Sequence, residues 1–345
     1  MSNASTDQVL EVVLPGVVEP EGLELRRRER PVPAAGQALV RVEATGVSFA
    51  EKQMRKAKYY DQPAFPFVPG YDLVGVVAEV GPGVAPALVG RRFAALTKIG
   101  GWATHVLVDA ADLVPVPDGV DAAEAEALVV NGITAWRMLH GIAKVEAGQT
   151  VLVLGASGGV GSLLTQLATL AGARVIGTAS ARHHDAVRAL GAVPVDYRDA
   201  DVPARVRELA PGGVDAVFDH VGGPGLVDSY RLLAPRGTLV AYGTASTKDE
   251  PGSSRLPVLK LFLRLLWWNA LPNGHSATFF NVWAGRRNAA RFRAELARDL
   301  GSVFALLARG ALNPRVAARV PLERVVDAVR LAESGTVSGK VVLVP

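Results

Sequence analysis

The stretch Thr150–Ser162, TVLVLGASGGVGS, decides the fold of the chain around it. It begins with the apolar run Val151–Leu154, which is typical of a strand buried on both faces of a parallel sheet. Four glycines follow within the next seven residues, and an apolar-periodic segment then continues to Gly172, a predicted helix C-cap. Strand, glycine turn and helix are the setting that a dinucleotide-binding fingerprint requires.

The glycine turn predicts contacts with a pyrophosphate. Gly158 would let the backbone approach it, and Gly161 would let the helix pack closely on the strand. The free N–H groups at the helix N-terminus favour phosphates. Ala156 stands where the first glycine of G-x-G-x-x-G usually stands, and the alternative is a merely tight turn between strand and helix. The turn residues predicted to bind cofactor are Ala156, Ser157, Gly158, Gly159, Val160 and Gly161.

Composition narrows the class of protein. The 345 residues suggest two domains. The sequence has no cysteine, which excludes disulfides and thiolate metal sites and favours a cytoplasmic location. The net charge of +4 comes from interspersed charges, so we expect no nucleic-acid partner. The most apolar stretch, Leu256–Leu271, is too short and too charged to span a membrane.

The pattern of elements changes at the glycine turn. From Val9 to Leu113 the chain shows short β-like runs separated by Gly and Pro, which predicts an antiparallel or barrel-like β domain. From residue 150 strands alternate with helices, six strands in all with the sixth at Thr278–Trp283, which predicts a doubly wound parallel Rossmann sheet of class α/β. Helices are also predicted at Ala122–Leu128, before this region, and at Arg286–Ala308, after it. The last strand, Lys340–Val344, is expected to return to the first domain. We therefore predict domains at 5–128, 129–285 and 286–345, the first and last forming one split domain.

Residues at two strand ends and after the second strand are further cofactor candidates. Val221 follows the fourth strand and Tyr242-Gly243 ends the fifth, where α/β sheets meet their ligands. The second strand ends without the acid that an NAD enzyme uses to hold a ribose hydroxyl. Ser180 and Arg182 stand there instead, and a guanidinium matches a phosphate bidentately, so we predict NADPH. The alternative is that Arg182 is an ordinary exposed residue.

The chain resembles the medium-chain dehydrogenase/reductase superfamily in its zinc-independent quinone oxidoreductase branch. The resemblance is carried by segments from end to end of the chain: Ala44–Lys56, Phe65–Gly81, Gly100–Val108, the glycine turn, Gly213–Gly223 and Ser338–Val344. Gly177–His184, GTASARHH, is most similar to the vesicle amine transport protein homologues. The resemblance implies a mainly β, split GroES-like catalytic domain around an inserted Rossmann domain. It also implies NADPH-dependent reduction of quinones or enones, and a homodimer.

The resemblance assigns further residues to the cofactor site. Thr134, which follows Asn131-Gly132-Ile133, matches a position against the nicotinamide, although a helix-start role is the alternative. Tyr197 would close the phosphate pocket. His183 stands where relatives often carry lysine, which makes it a pH-dependent contributor.

The resemblance also bears on the substrate site. Zinc-dependent relatives place cysteine and histidine where Ser48 and Tyr71 stand, so we predict that no metal is bound. Tyr59 matches a tyrosine near the substrate, although packing alone could explain it. Ser48, Tyr59 and Tyr71 are therefore the candidate catalytic residues, with Gln53 in the same cleft. A phenol can donate a hydrogen bond to a carbonyl oxygen that gains charge. No residue stands out as a general acid, and water could protonate an enolate product.

Leu256–Leu271 lies between strands five and six. Its apolar residues and Trp267-Trp268 favour a substrate lid or a dimer contact over a membrane surface, with a core helix as the alternative.

The functional hypothesis is an NADPH-dependent reductase of a flat, apolar quinone or enone. An enoyl-thioester reductase is the enzymatic alternative. An NADPH-binding sensor or structural protein with little turnover is the alternative from another class.

Overall fold

The computed structural model describes residues 8–243 and 255–345, with only the backbone of residues 255–259. The chain forms two compact units. The first contains the chain up to Ile133 together with Gly285–Pro345, and the second is Thr134–Ala284. The predicted boundaries after residues 128 and 285 differ from this division by five residues and one residue. Residues 5–7 of the predicted first domain lie outside the described part of the chain.

The first part of the first unit is mainly β structure, as predicted. Its described strands are β1 (Gln8–Val13), β2 (Glu24–Glu29), β3 (Gln37–Val47), β4 (Asp72–Val80), β5 (Arg92–Leu96), β6 (His105–Asp109) and β7 (Val114–Pro115). Its described helices are α1 (Phe49–Arg55), α2 (Ala122–Leu128) and α3 (Val130–Trp136), the last of which contains the division between the units.

The second unit is the predicted α/β domain. Its described elements alternate along the chain: β8 (Thr150–Val153), α4 (Gly159–Leu170), β9 (Arg174–Ala179), α5 (His184–Ala189), β10 (Ala192–Asp196), α6 (Val202–Leu209), β11 (Val214–Asp219), α7 (Leu226–Arg231), β12 (Leu233–Ala241), α8 (Arg255–Ala270) and β13 (Ser276–Phe279). The strands are all parallel, in the order β10-β9-β8-β11-β12-β13. This is the doubly wound sheet that the sequence predicted, and its order reverses between β8 and β11.

The sixth strand was predicted at 278–283 and lies instead at Ser276–Phe279. The chain turns directly after it, where the Asn281 side chain accepts the N–H of Trp283 at 2.9 Å. Asn and Asp side chains that bond the backbone two residues on are typical of turns, so the strand ends early.

The end of the chain returns to the first unit. Its described elements are α9 (Ala289–Ala308), β14 (Val316–Pro321), α10 (Val325–Glu333) and β15 (Lys340–Val344). β15 pairs with β3 and β14 in a seven-stranded sheet of order β14-β15-β3-β4-β5-β7, with β6 also on β3. The predicted return of the last strand is therefore confirmed. α9 begins later than predicted because the Asn288 side chain caps it by accepting the N–H of Arg291.

Each unit has its own apolar core. In the second unit Leu152, Val217 and Leu239 of the sheet pack in one cluster with Leu265 and Trp268 of α8. In the first unit the strands bury a cluster that includes Val40, Leu73 and Phe93. A second cluster there joins Trp102 to β15 and α10.

Helix α8 has two different faces. Trp268 is buried, with its ring stacked on that of Tyr230 at a centroid distance of 4.2 Å. Trp268 therefore belongs to the core, as in the alternative interpretation, because stacking gives its indole a complete apolar partner. Trp267 is exposed on the opposite side with three other large apolar residues, Phe262, Leu263 and Leu266.

Candidate functional site

The glycine turn of the second unit is tightly built. A Cβ on Gly161 would lie 2.1 Å from the carbonyl oxygen of Gly155, so only glycine lets α4 approach the end of β8 this closely. Gly158 is different, because a Cβ there would meet only the Gly155 oxygen, at 3.4 Å. Gly158 is the N-cap of α4, and the next N–H groups have no partner inside the helix. The turn can therefore accept a phosphate on its backbone donors.

Ala156 replaces the usual first glycine of the fingerprint, and the neighbouring strand compensates. A Cβ on Gly177 of β9 would lie 2.6 Å from the Ala156 methyl group. Ala156 is fully buried, and its N–H donates to the carbonyl oxygen of Thr178 at 2.9 Å. The methyl group thus fills space that Gly177 leaves empty, and the turn keeps its shape.

His220 connects the ends of three strands of the second unit. Its Nδ1 lies 3.1 Å from the carbonyl oxygen of Leu154, the residue after β8. A Cβ on Gly155 would lie only 2.4 Å from Cε1 of the His220 ring, so the ring fills the space beside this glycine. The ring centre also lies 5.9 Å from that of Tyr242, which follows β12. Burial lowers the pKa of His220, which keeps the imidazole neutral. The sequence analysis missed this residue because its contacts are all distant along the chain.

The loop after β11 is held by Asp219. One carboxylate oxygen of Asp219 accepts the N–H groups of Val221 and Gly222 at 2.7 and 2.9 Å, and the other accepts the Ser229 hydroxyl at 2.7 Å. The N–H of Tyr242 donates to the Asp219 backbone oxygen at 2.9 Å. The structure therefore brings the predicted residues Val221, Tyr242 and Gly243 to the same edge of the sheet as the glycine turn.

The region after β9 carries the residues predicted to bind a 2′-phosphate. Ser180 is buried, whereas Arg182 is exposed and makes no ion pair with the part of the chain that the structure describes. Tyr197, at the end of β10, is 55% exposed, and the Arg198 guanidinium lies 5.3 Å from its ring centre. Arg198 is a second cation here that the sequence analysis did not name. His183 lies next to Arg182 in the turn before α5.

An acid also reaches this region, from the third strand rather than the second. Asp196 accepts the N–H of Ala181 at 3.1 Å and that of Arg198 at 2.9 Å. Backbone hydrogen bonds hold the pKa of Asp196 below its ordinary value. No acid follows the second strand along the chain. The pairing of β10 with β9, however, places the carboxylate of Asp196 beside the end of that strand.

Helix α3 carries Thr134, predicted to lie against the nicotinamide, and Asn131, predicted to bind the cofactor. Asn131 and Thr134 are both buried, Asn131 in the first unit and Thr134 at the start of the second. They are one helical turn apart, so they share a face of the helix.

The candidate catalytic residues of the first unit meet around one carboxylate. Ser48 is the N-cap of α1, and Glu51 accepts its backbone N–H at 2.8 Å and its hydroxyl. The other oxygen of Glu51 accepts the N–H of Tyr71 at 2.9 Å. The hydroxyls of Tyr71 and Tyr59 are 2.8 Å apart. Burial raises the pKa of Tyr59, which keeps the phenol protonated. Gln53 is buried in the same helix.

A buried ionic cluster lies next to Tyr71 in the chain. The Lys340 ammonium is 2.9 Å from Asp72 and 2.8 Å from Glu126, and all three side chains are almost inaccessible. The same oxygen of Asp72 accepts the N–H of Val130 at the start of α3. Burial alone would lower the pKa of Lys340, but the two carboxylates raise it. Burial raises the pKa of Glu126, and Asp72 raises it further.

The donor set does not suggest a metal centre. Ser48 and Tyr71 are bound to Glu51 rather than open to an ion, and the residues that the structure describes contain no group of three or more His, Cys, Asp or Glu suited to a metal. Within the same described residues, no helix is both long enough and apolar enough to cross a membrane.

Comparison with known proteins defines the class. Residues 34–118 match the family model described as an alcohol dehydrogenase GroES-like domain, and residues 190–343 match the one described as a zinc-binding dehydrogenase. The chain belongs to the medium-chain dehydrogenase/reductase superfamily, in its zinc-independent quinone oxidoreductase branch. It is therefore an oxidoreductase of this superfamily.

Individual relatives are similar over nearly the whole chain. The synaptic vesicle membrane protein VAT-1 homolog of Rattus norvegicus is 34% identical over 333 residues, covering 94% of this chain and 80% of the relative. A mycobacterial protein solved as a complex with NADPH has 31% identity and a TM-score of 0.83, over 98% of this chain and 100% of that one. A quinone oxidoreductase of Pseudomonas syringae has 29% identity and a TM-score of 0.84, over 98% of this chain and 100% of that one.

Proposed function

We propose that this oxidoreductase uses NADPH to reduce quinones or α,β-unsaturated carbonyl compounds. The observation that carries the proposal is the edge of the second unit where the glycine turn, Val221 and Tyr242 come together around His220. In a doubly wound sheet this edge, at the point where the strand order reverses, is the place where a dinucleotide binds.

The residues present fit the cofactor. The backbone N–H groups of Gly159 and Val160 would hold the pyrophosphate, and the space at Gly158 is open to it. Arg182 and Ser180, with His183 and Tyr197, would hold the 2′-phosphate that distinguishes NADPH from NADH. Asn131 and Thr134 would position the nicotinamide. When bound, the cofactor supplies the hydride.

The first unit would supply the substrate contacts. The Tyr59 and Tyr71 hydroxyls form a pair in which one phenol can donate to the other and the second to a carbonyl oxygen. Burial raises the pKa of Tyr59, so this phenol stays protonated and acts as a hydrogen-bond donor rather than as a base. Hydrogen bonds polarise a carbonyl less than Zn²⁺ does, so the acceptor must already be electrophilic, as a quinone or an enone is.

The test is NADPH consumption with a panel of small quinones, enones and enoyl thioesters. We expect turnover with quinones or enones. Turnover confined to enoyl thioesters would support the enoyl-thioester reductase instead. Tight NADPH binding with no acceptor oxidising it would support a sensor or structural role, and fast oxidation of simple primary alcohols would contradict the proposal.

The proposal includes catalysis without a metal. Its support is that the positions of a zinc-binding cysteine and histidine are held by Ser48 and Tyr71. Elemental analysis of protein purified without a metal-affinity tag should find less than stoichiometric zinc. Stoichiometric zinc that is lost together with activity on chelation would overturn this part.

We also propose a homodimer. Helix α8 of the second unit exposes four large apolar side chains, those of Phe262, Leu263, Leu266 and Trp267. Exposed apolar residues grouped in this way favour a protein–protein contact, whereas single ones do not. The mass of the purified protein by light scattering should correspond to two chains, and the mass of one chain at all concentrations would contradict it.

A further inference from the structure

Reduction of an enone requires a proton as well as a hydride, and the residues assigned so far do not supply one. The phenol of Tyr59 can donate a hydrogen bond, but burial raises its pKa, so it does not give up its proton. Among the described residues of the first unit, Glu51 is a buried acid whose carboxylate contacts the candidate catalytic residues Ser48 and Tyr71.

Glu51 is placed to exchange a proton with Ser48. Its carboxylate is 4% exposed, and one of its oxygens accepts a hydrogen bond from the Ser48 hydroxyl. Ser48 is half-buried whereas Glu51 is buried, so Ser48 is the member of the pair that a substrate can reach once its hydroxyl turns away from Glu51. The remaining contacts of Glu51, the N–H groups of Ser48 and Tyr71, fix the carboxylate in the geometry that such an exchange needs.

A pocket within the first unit connects Glu51 with other polar groups. It has a volume of about 10 Å³, its polar walls are Ser48, Glu51, Lys52, Arg55 and Glu333, and its other walls are apolar side chains that include Leu14, Val47 and Trp102. Arg55 is 3% exposed, and its Nε has no hydrogen-bond partner among the residues that the structure describes. A buried N–H of this kind requires an acceptor, and a volume of about 10 Å³ is just enough for a single water molecule to provide it. Such a water would lie in the same pocket as the carboxylate of Glu51.

We propose that Glu51 and Ser48 deliver the proton that completes reduction, with Glu51 as the acid, Ser48 as the relay to substrate, and the pocket as the route by which water reprotonates Glu51. The inference rests on the proposed function, because it concerns the second half of the same reaction.

The step balances as follows. Hydride addition forms a C–H bond at the β-carbon of the enone, and the π electrons move to give an enolate. The Ser48 hydroxyl gives its proton to the α-carbon, and Ser48 Oγ takes the proton of the Glu51 carboxylic acid. Glu51 is left as a carboxylate, and a proton from water in the pocket restores it. The overall change consumes one NADPH and one proton for each enone reduced.

The charges around Glu51 favour its protonated form. Burial raises the pKa of Glu51, the hydrogen bond from Ser48 opposes the shift, and the nearby Asp72 carboxylate adds to it. The two cations in the pocket are paired with acids, because Glu333 binds Lys52 at 3.0 Å and Arg55 at 2.9 Å, and Glu19 binds Arg55 at 3.2 Å. An acid with a raised pKa is active below that pKa, so kcat should fall as the pH rises through it.

The experiment compares Glu51→Gln, Ser48→Ala and the double variant, using NADPH and an enone such as cyclohex-2-enone. We expect each single variant to lower kcat about a hundredfold, with the double variant no worse than either. The fall of kcat with rising pH should disappear in Glu51→Gln and return in Glu51→Asp. The solvent deuterium isotope effect on kcat should change in both single variants. The Kd for NADPH should stay unchanged in all of them.

Two further measurements separate the proton role from helix capping. Asp121→Ala removes the cap of α2, where Asp121 accepts the N–H of Glu124, and should lower stability without changing the pH profile. The difference between the infrared spectra of the wild type and of Glu51→Gln should contain a protonated carboxyl band, and this band belongs to Glu51 because Glu126 contributes equally to both spectra.

Specific outcomes overturn the proposal. A Glu51→Gln variant with wild-type kcat and pH profile overturns it, and so does a double variant in which the two losses multiply. Failure of the wild-type protein to oxidise NADPH with any acceptor would instead refute the proposed function, while the infrared band would still report whether Glu51 holds a proton.

Discussion

The two units build their candidate sites from different materials. The cofactor edge of the second unit consists of glycines, backbone N–H groups and strand ends, with its charged side chains Arg182, Asp196 and Arg198 at the surface. The first unit instead buries Asp72, Glu126 and Lys340 completely and keeps a further carboxylate, Glu51, beneath its candidate catalytic residues.

The difference has a physical reason. A dinucleotide brings its own charges, so its site can be formed from backbone dipoles that need no counter-ion when the cofactor is absent. Buried side-chain charges must be paired within the protein at all times, because an isolated one is very costly. Substitutions in the first unit should therefore act on folding, whereas those at the cofactor edge should act on binding.

The largest effect should follow removal of the buried cation. Lys340→Met leaves Asp72 and Glu126 facing each other without their ammonium partner, and should lower the free energy of unfolding by about 3–5 kcal/mol. Because burial raises the pKa of Glu126, the loss should shrink as the pH falls through that raised pKa and Glu126 takes up a proton. Denaturant unfolding at several pH values measures the loss of unfolding free energy and its dependence on pH. Lys340→Met combined with Glu126→Gln should recover part of the loss, and a single variant as stable as the wild type would show that the cluster is not under electrostatic constraint.

Apolar packing should dominate stability in the second unit. Trp268→Ala removes a ring stacked on Tyr230, and should cost about 3–5 kcal/mol of unfolding free energy, as large core truncations do. Trp267→Ala is the matched control on the exposed face of the same helix. Trp267→Ala should change the free energy of unfolding by no more than about 0.5 kcal/mol. It should instead change the KM for substrate or the dimer mass. Equal destabilisation by both variants would contradict the two-faced description of α8.

A smaller effect, on affinity alone, is expected from Arg182. Losing one charge-assisted contact to the 2′-phosphate costs roughly 1.5–3 kcal/mol, so Arg182→Ala should raise the Kd for NADPH about tenfold to a hundredfold and leave NADH nearly unchanged. Fluorescence titration with both cofactors measures this. Arg188→Ala, an exposed arginine paired with Asp185, is the control and should change neither value. Equal weakening of both cofactors, or a wild-type preference for NADH, would show that the pocket has been misread.

The smallest effect should come from substitution of Asp196, which should strengthen NADPH binding where substitution of Arg182 weakens it. Its carboxylate uses the N–H of Ala181 and repels a phosphate held nearby, whereas an amide keeps the acceptor and removes the charge. Asp196→Asn should therefore lower the Kd for NADPH about twofold to fivefold, an effect that fades at high ionic strength. Asp199→Asn, which removes a neighbouring exposed charge, should do less. If the two variants act alike, general surface charge accounts for the change.

The sequence alone predicted much of the second unit. The run TVLVLGASGGVGS specified strand β8, its turn and helix α4, because all the residues that interact there are close along the chain. The six parallel strands and the helix at Ala122–Leu128 followed from equally local patterns. The roles of the cofactor residues remain predictions that binding measurements must test.

The tertiary structure decided what depends on contacts between distant residues. His220 meets Gly155 and Tyr242, Asp196 reaches the loop of another strand, and Lys340 pairs with two acids more than 200 residues away. No local pattern marks such residues, since their environment is created only when strands and helices pack. The same reason explains why Glu51 could not be distinguished from an ordinary helix-capping acid until its burial and its contact with Ser48 were seen.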